Sequence, residues 1–302
     1  MKGKKAGRNE KQPLKVRLTG MAFALLFLTG FAILIYPAVS NQWNTFRQSR
    51  LITSYQSAVT ETEAEDLSGE WAAAAAYNEG IMELSEYLDA FDTESVEEED
   101  SEYWNLLNLS GDGVMGYISI PKINIRLAIY HGTDEESLET GVGHLEGSSL
   151  PVGEEGTHVV LAGHRGLPSA RLFTDLDQLE IGDCFYLYIL DEVLAYEVDQ
   201  ILPMVDEDDY DTLLAALSPV EGEDYVTLYT CTPYGVNTHR LLVRGHRIEY
   251  VEETVSNPAM TAVLQAIRDY YMLYLLMGLA LTALEILVVR AVLSRRERCG
   301  QS

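Results

Sequence analysis

Short segments between residues 116 and 251 are apolar, or alternate apolar with polar positions, and this pattern predicts β-strands. Clusters of Gly and Pro separate the segments. They are GYISIPKINIRLAIYHG, THVVLAGHR, GDCFYLYILDEVLAYEVDQILPM, DYVTLYTC and HRLLVRGHRIEYV. Because no helices alternate regularly with these strands, the pattern favours an antiparallel barrel or sandwich. Two connections, SARLFTDLDQL and DDYDTLLAAL, are predicted as short helices.

Residues 41–110 have a different pattern, rich in Ala, Glu and Leu with few β-branched runs, which predicts helices. We interpret this part as a helical stalk or a packed helical pair. The stretch DAFDTESVEEEDSEYW, Asp89 to Trp104, is an acidic loop of the kind that is usually solvated. Aromatic residues at its two edges, Phe91 and Trp104, are unusual for a plain linker.

The chain carries an uncharged stretch near its N-terminus, from Leu18 to Phe46. Its core, LTGMAFALLFLTGFAILIYPAVS, matches the roughly 20 residues that span a bilayer. The basic segment before it should stay cytoplasmic. A cleaved signal peptide is the alternative, since Ala38 to Ser40 is a small-x-small sequence. The length of the apolar run favours an uncleaved anchor.

A second apolar stretch runs from Tyr270 to Arg298 and is interrupted by Glu285. An amphipathic or core helix is the alternative to a membrane span, but the closing RRER is a good cytoplasmic flank. Two spans would place both termini inside the cell and everything between them outside. The predicted order is a basic tail 1–17, a span 18–39, an outer helical segment 40–110 with a loop near 89–104, a barrel 111–252, a linker 253–269, a span 270–292 and a tail 293–302.

Charge is distributed unevenly along the 302 residues, whose formal net charge is -26. The middle part, residues 40–271, is strongly acidic, while both ends are basic. Such a middle argues against nucleic-acid binding and suits a solvated region outside a membrane. Three cysteines, an odd number, do not support a disulfide scaffold. No CxxC or HExxH motif occurs, so we predict no metal or other cofactor.

Cys231 ends an apolar strand segment and precedes the loop TPYGVNTH, and Arg240 begins the next strand. A thiol nucleophile needs a base or a cation beside it and a donor for the oxyanion. Neighbouring strand residues face opposite ways, so Arg240 can reach Cys231 only if His239 does not. A buried inert thiol is the alternative, and Cys184 fits that description better. From spacing alone, the partners of Cys231 remain open.

A family resemblance suggests those partners. The stretch TLYTC, followed by Arg240, resembles the sortase signature, and GHRGLPSARLFTDLDQL resembles the segment that carries the sortase histidine, here His164. The segments GYISIPKI, AIYHGT, GVGHLEGSSLPVG, THVVLAGHRGLP and TCTPYGVNTHRLLVRGHRI resemble class C sortases, the pilin-polymerising enzymes of Gram-positive bacteria. The resemblance covers residues 77–250 and implies a mainly β fold, a closed barrel of about eight strands with an N-terminal helical stalk and two membrane helices.

The resemblance also implies a chemistry, that of a membrane-anchored cysteine transpeptidase without a cofactor. In sortases, the thiol attacks an LPxTG-like sorting signal between Thr and Gly, and an amine resolves the thioacyl-enzyme. Carried over, Cys231 is the nucleophile, His164 the general acid and base, and Arg240 the donor to the substrate or its oxyanion. The acceptor would be a lysine amine of a second pilin subunit. Anchoring of surface proteins to a peptidoglycan precursor, and a non-enzymatic surface binding module, are the alternatives.

Class C sortases commonly carry a lid with the sequence Asp-Pro-aromatic in front of the active site. Here the best match is Asp89-Ala90-Phe91, where alanine replaces the proline. By resemblance, Asp89 would pair with Arg240 and Phe91 would cover Cys231. Because alanine does not fix φ as proline does, we expect a lid that opens more easily.

Overall fold

The computed structural model describes residues 14–81, 90–91, 102–251 and 277–280. It divides into two compact units, residues 1–39 with 253–302, and residues 40–252. Helix α1, Leu14–Glu61, begins in the first unit. Within the described residues, α1 is the one helix that is long and apolar enough to cross a membrane, judged by length and composition. Four residues of the second predicted span, 277–280, are described, and they are helical.

The second unit is built around a closed barrel of eight strands, as predicted. Around the barrel the strands follow the order β1-β2-β3-β4-β7-β8-β6-β5. Their bounds are Val114–Ile120 (β1), Ile125–His131 (β2), Val142–His144 (β3), Thr157–Ala162 (β4), Cys184–Ile189 (β5), Glu192–Asp206 (β6), Asp224–Thr232 (β7) and His239–Ile248 (β8). Aliphatic and aromatic side chains from all eight strands fill a common interior that includes Phe185, Leu187 and Val226.

Two strand pairs are parallel, so the predicted purely antiparallel sheet is wrong at these places. Strand β2 runs parallel to β3, and β4 runs parallel to β7. Parallel neighbours need a crossover connection rather than a hairpin. Helix α4, Glu135–Thr140, supplies the first crossover, and the β5–β6 hairpin lies within the second. The first crossover is shorter than that of a regular βαβ unit and the second is longer. The strand pattern in the sequence therefore did not reveal the two parallel pairs.

The remaining described helices are short or lie before the barrel. They are α2 (Ala64–Glu79), α3 (Glu102–Asn105) and α5 (Tyr210–Leu217), together with 3-10 turns at Pro121–Ile123 and Leu176–Gln178. Helix α5 confirms the prediction for DDYDTLLAAL. The helix predicted for SARLFTDLDQL is wrong except for its last turn. Leu172 has a φ of 39°, a left-handed conformation that interrupts a right-handed helix.

Strand β7 is buried along its whole length. Its inward Val226 and Leu228 face the barrel interior, and its outward Tyr229 belongs to a second apolar cluster. That cluster joins Leu213 and Leu217 of α5 to Val160 of β4 and Tyr229 of β7. Because β4 and β7 are buried on both faces, their sequences are mainly apolar and do not alternate apolar with polar residues. The covered ends of these two strands carry the candidate site.

The part of α1 after residue 40 packs on the barrel through buried polar side chains. The Tyr55 hydroxyl donates to the Met115 carbonyl at 3.0 Å and accepts from the Leu190 amide at 2.7 Å. Met115 lies at the irregularity between Val114 and Gly116 in the β1–β2 register. The helix therefore satisfies backbone groups that a β-bulge and a turn leave without ladder partners.

Candidate active site

Cys231 and Arg240 lie directly opposite each other in the antiparallel pair β7–β8. Residues opposite each other in a pair project to the same face of the sheet, so both side chains share one face. His239 lies opposite Thr232 and projects to the other face. Cys231 is 7% exposed and Arg240 is 4% exposed. The structure thus brings together the two residues that the sequence pattern suggested and separates His239 from them.

His164 follows β4, and backbone contacts hold it beside the end of β7. The Gly163 amide donates to the Tyr229 carbonyl at 3.0 Å, which continues the parallel pairing one step beyond β4. The Thr230 hydroxyl donates to the Gly163 carbonyl at 2.6 Å. On the other side, the Phe173 amide donates to the His164 carbonyl at 3.1 Å. The end of β4 is therefore fixed next to the residues that precede Cys231.

Burial lowers the pKa of His164 below its ordinary value. The carboxylates of Glu139 and Glu135 on α4 oppose this effect in part, since nearby negative charge favours the imidazolium. Desolvation is the larger influence. An imidazole in this setting is predominantly neutral near pH 7, which is the form that accepts a proton from a thiol.

The guanidinium of Arg240 has an oxygen acceptor at each of its three nitrogens. Nε donates to the Tyr229 hydroxyl at 3.0 Å. Nη1 donates to the carbonyls of Asn237 at 3.0 Å and His239 at 3.3 Å. Nη2 forms an ion pair with Glu207 at 2.9 Å. The role of Glu207 is not predictable from the sequence, because it lies in the acidic run DEDD, where nothing distinguishes one carboxylate from the next.

The ring of Phe91 covers the same face of the sheet. Its centroid lies 5.3 Å from that of His164 and 5.7 Å from that of Tyr229. The Cζ atom of Arg240 lies 5.6 Å from the ring centroid, within the range of a cation–π contact. Asp89, the other predicted lid residue, lies outside the described residues. Phe91 thus contacts His164, Tyr229 and Arg240, and its predicted position over Cys231 stays a prediction.

Arg165 is a second arginine next to the site that the sequence analysis missed. Its Nη1 donates to the Thr232 hydroxyl at 3.1 Å, and its Nη2 pairs with Asp177. It follows His164 directly in the chain, and Thr232 follows Cys231. Its buried Nε has no hydrogen-bond partner in the part of the chain that the structure describes. The side chain links the segments that carry the two candidate catalytic residues.

Three other histidines, His131, His144 and His158, are buried in the barrel and engaged with structural partners. His158, for example, contacts the Ser218 carbonyl at 2.9 Å and the Thr227 hydroxyl at 2.8 Å. Cys184 is half-buried on β5. Cys299 lies outside the described residues. Within the described ranges, no group of three or more His, Cys, Asp or Glu side chains could hold a metal ion.

Comparisons with known proteins identify the family. A sortase domain model matches residues 118–248. The chain is 45% identical to sortase C of Streptococcus pneumoniae, with a TM-score of 0.59 over 67% of this chain and 97% of that one. It is 49% identical to sortase C1 of Streptococcus agalactiae, with a TM-score of 0.60 over 67% of this chain and 100% of that one. The chain belongs to the sortase family. Sortases are cysteine transpeptidases, and the solved neighbours of this sortase are of class C, as predicted.

Curated relatives outside class C match a shorter part of this sortase. Sortase D of Bacillus subtilis (strain 168) is 35% identical over 136 residues, which is 44% of this chain and 63% of that protein. Sortase A of Bacillus anthracis is 29% identical over 132 residues, 44% of this chain and 59% of that protein. The sortase therefore spans less than two thirds of the length of either relative. The Streptococcus pneumoniae structure is described as informative on catalysis and pilin substrate specificity.

Proposed function

We propose that this sortase cleaves an LPxTG-like sorting signal between Thr and Gly and transfers the acyl group to a lysine amine of another pilin subunit. The observation that carries the proposal is the placement of Cys231 and Arg240 opposite each other, with His164 at the end of the adjacent parallel strand. The pilin specificity named for the Streptococcus pneumoniae relative supports the choice of substrate class.

The reaction then follows from the three side chains. His164 accepts the thiol proton, and the sulfur of Cys231 attacks the threonine carbonyl carbon. Arg240 donates to the oxygen as negative charge develops on it. His164 returns its proton to the glycine nitrogen as the C–N bond breaks, which leaves a thioacyl-enzyme. A lysine amine attacks the same carbon, gives a proton to His164, and the sulfur leaves as the new amide forms.

The membrane topology is part of the same proposal. Residues 18–39 and 270–292 are two spans, both termini are cytoplasmic, and the barrel of residues 111–252 is outside the cell. The apolar first part of α1, which is long and apolar enough to cross a membrane, supports the first span. Protease treatment of intact cells should remove the barrel and spare tags at both ends. Protection of the barrel would contradict this topology.

Acylation of Cys231 tests the reaction directly. Incubation with LPxTG-type peptides should add the mass of the acyl fragment to the peptide that contains Cys231. The Cys231→Ala variant should show no adduct, and the Cys184→Ala variant, which removes the other described cysteine, should react like the wild type. An adduct that persists in Cys231→Ala would show that the nucleophile lies elsewhere.

The acceptor decides between pilus assembly and cell-wall anchoring. The acyl-enzyme should be resolved by a pilin-derived lysine peptide faster than by a peptidoglycan-type amine at the same concentration. The reverse preference would reassign this sortase to the anchoring of surface proteins, and would leave the roles of Cys231, His164 and Arg240 as proposed.

A further inference from the structure

Glu207 lies directly after β6, where that strand runs beside the start of β8. Val205 is the register partner of Arg240, and Asp206 is the partner of His239. The Glu207 amide then makes a 3.4 Å contact with the Thr238 carbonyl. Strand β8 lies between β6 and β7. The backbone therefore places Glu207 beside Arg240 on the β6 side of β8.

The carboxylate of Glu207 reaches Nη2 of Arg240 at 2.9 Å. The two side chains differ in burial, with 5% of the arginine side chain exposed and 39% of the glutamate side chain. Taking a guanidinium charge out of water is costly unless an opposite charge or several hydrogen bonds compensate it. Glu207 supplies negative charge, while Tyr229 and Asn237 supply neutral acceptors.

A donor to a developing oxyanion is effective when it is fixed before the reaction begins. The acceptors on Nε and Nη1 belong to β7, to the β7–β8 loop and to the first residue of β8, whereas Glu207 belongs to the connection that follows β6. The guanidinium is therefore held from two sides. Loss of the contact from the β6 side leaves the acceptors on Nε and Nη1, so the guanidinium is held from one side and its orientation is fixed less firmly.

We propose that Glu207 is a positioning residue that orients Arg240 for the reaction. This inference rests on the proposed function, because it assigns a role relative to the transition state of acyl transfer. In this role Glu207 itself touches neither the substrate nor the reacting atoms. It acts through Arg240, so its removal should affect turnover more than substrate binding.

The neighbouring Asp208 provides a matched control. It is exposed and belongs to the same acidic run, so Asp208→Asn and Glu207→Gln remove the same charge from the same segment. With a sorting peptide and a lysine acceptor, Glu207→Gln should lower kcat by about tenfold and leave KM within about twofold. Asp208→Asn should match the wild type in both. Glu207→Asp, which keeps the charge, should lie between Glu207→Gln and the wild type.

Two kinetic outcomes would overturn the inference. In the first, Glu207→Gln turns over like Asp208→Asn, so that the contact with Arg240 has no effect on catalysis. In the second, KM rises by the same factor as kcat/KM falls, so that Glu207 contributes to substrate binding instead of positioning. If Glu207→Gln fails to fold, a kcat for Glu207→Asp equal to that of the wild type overturns the inference as well.

A thermal double-mutant cycle separates this inference from the proposed function. The melting temperatures of Glu207→Gln, Arg240→Gln and the double variant should be non-additive, because the two residues contact each other. Additive shifts would overturn the inference whether or not any peptide is turned over. A wild type that acylates no sorting peptide would instead contradict the proposed function, and the cycle would still decide on the contact.

Discussion

Arg165 illustrates how a residue next to a catalytic candidate can matter without touching the reacting atoms. Its planar guanidinium contacts Thr232 with one nitrogen and Asp177 with another. It therefore connects the loop after β4 to the end of β7. Because His164 precedes Arg165 and Cys231 precedes Thr232, a shift in this link changes the spacing between imidazole and thiol.

Arg165→Ala is expected to lower both stability and turnover. It removes two contacts of a buried donor, which we expect to cost about 1–3 kcal/mol in the free energy of unfolding, and acylation of Cys231 should slow. Urea titration and acylation rates measure the two effects. Arg171→Ala is the control, since this arginine pairs with Asp175 at a more exposed position. Equal effects of the two substitutions would show that the Thr232 contact is unimportant.

The site could be predicted from the sequence only where its parts lie in local patterns. The TLYTC stretch and the spacing to Arg240 were visible, and strand parity correctly separated Arg240 from His239. His164 needed the family resemblance, because six histidines were available. Glu207 and Arg165 were not predictable, since their roles depend on the β6–β8 register and on a loop conformation that the local sequence does not determine.

At the scale of elements, the two-residue segment Ala90–Phe91 is the described part of the predicted lid. Ala90 is buried, and the ring of Phe91 stacks on His164 and Tyr229. Aromatic pairs of this kind contribute about 0.5–1.5 kcal/mol each beyond the area they bury. Because only a few such contacts hold the segment, it can cover the site and be displaced when a substrate binds.

Removal of the lid side chains should expose the thiol. In the variant with Asp89→Ala and Phe91→Ala, a small thiol reagent should label Cys231 about fivefold faster or more, because two ring contacts worth about 1–3 kcal/mol together are lost. Mass spectrometry of the labelled peptide gives the rate. Ile181→Ala, which removes an exposed apolar side chain elsewhere on the barrel, should label at the wild-type rate. Unchanged labelling of the double variant would show that Asp89 and Phe91 do not form a lid.

The positions of the strands in the sequence were predictable, but the way in which the strands pair was less so. Turn residues and apolar runs located the strand segments, and α5 lies in the connection DDYDTLLAAL that was predicted as a helix. The parallel pairs were missed because burial of β4 and β7 on both faces depends on α5, which is distant in sequence from β4. The interrupted helix near Leu172 depends on a left-handed residue that carries no local signal.

At the scale of the whole molecule, buried ionisable groups give the barrel an uneven response to acid. Burial lowers the pKa of His144 and of His158 to about 4. Burial also raises the pKa of Asp224 to about 6, against the opposing influence of Arg247. The histidines are protonated more readily in the unfolded chain, so they remove stability as the pH falls from 6.5 towards 4. Asp224 acts in the opposite direction, because its folded form holds a proton more tightly.

The acid response should change in a predictable sense in two variants. His158→Asn should reduce the loss of stability between about pH 6.5 and pH 4 by roughly 3 kcal/mol. This figure corresponds to the difference between the pKa of His158 in the unfolded and in the folded chain. Asp224→Asn should make the loss steeper over about pH 6 to pH 4, because it removes a group that favours the folded state on acidification. Urea titrations at several pH values measure both. A His158→Asn variant with the wild-type slope would contradict the assignment of a neutral buried imidazole.

The closure of the barrel restricts how this sortase can hold an extended peptide. The eight described strands form a complete ring, so each has a neighbouring strand on both sides and none has an edge that is open along its whole length. Many peptide-binding domains lengthen a sheet by one strand and obtain affinity from main-chain hydrogen bonds. That mode needs an unpaired edge, which a closed barrel lacks. A peptide bound to this barrel would therefore be recognised by side chains and by the connecting loops. Exchange of those loops would give related enzymes new sequence preferences while the ring of strands stays the same.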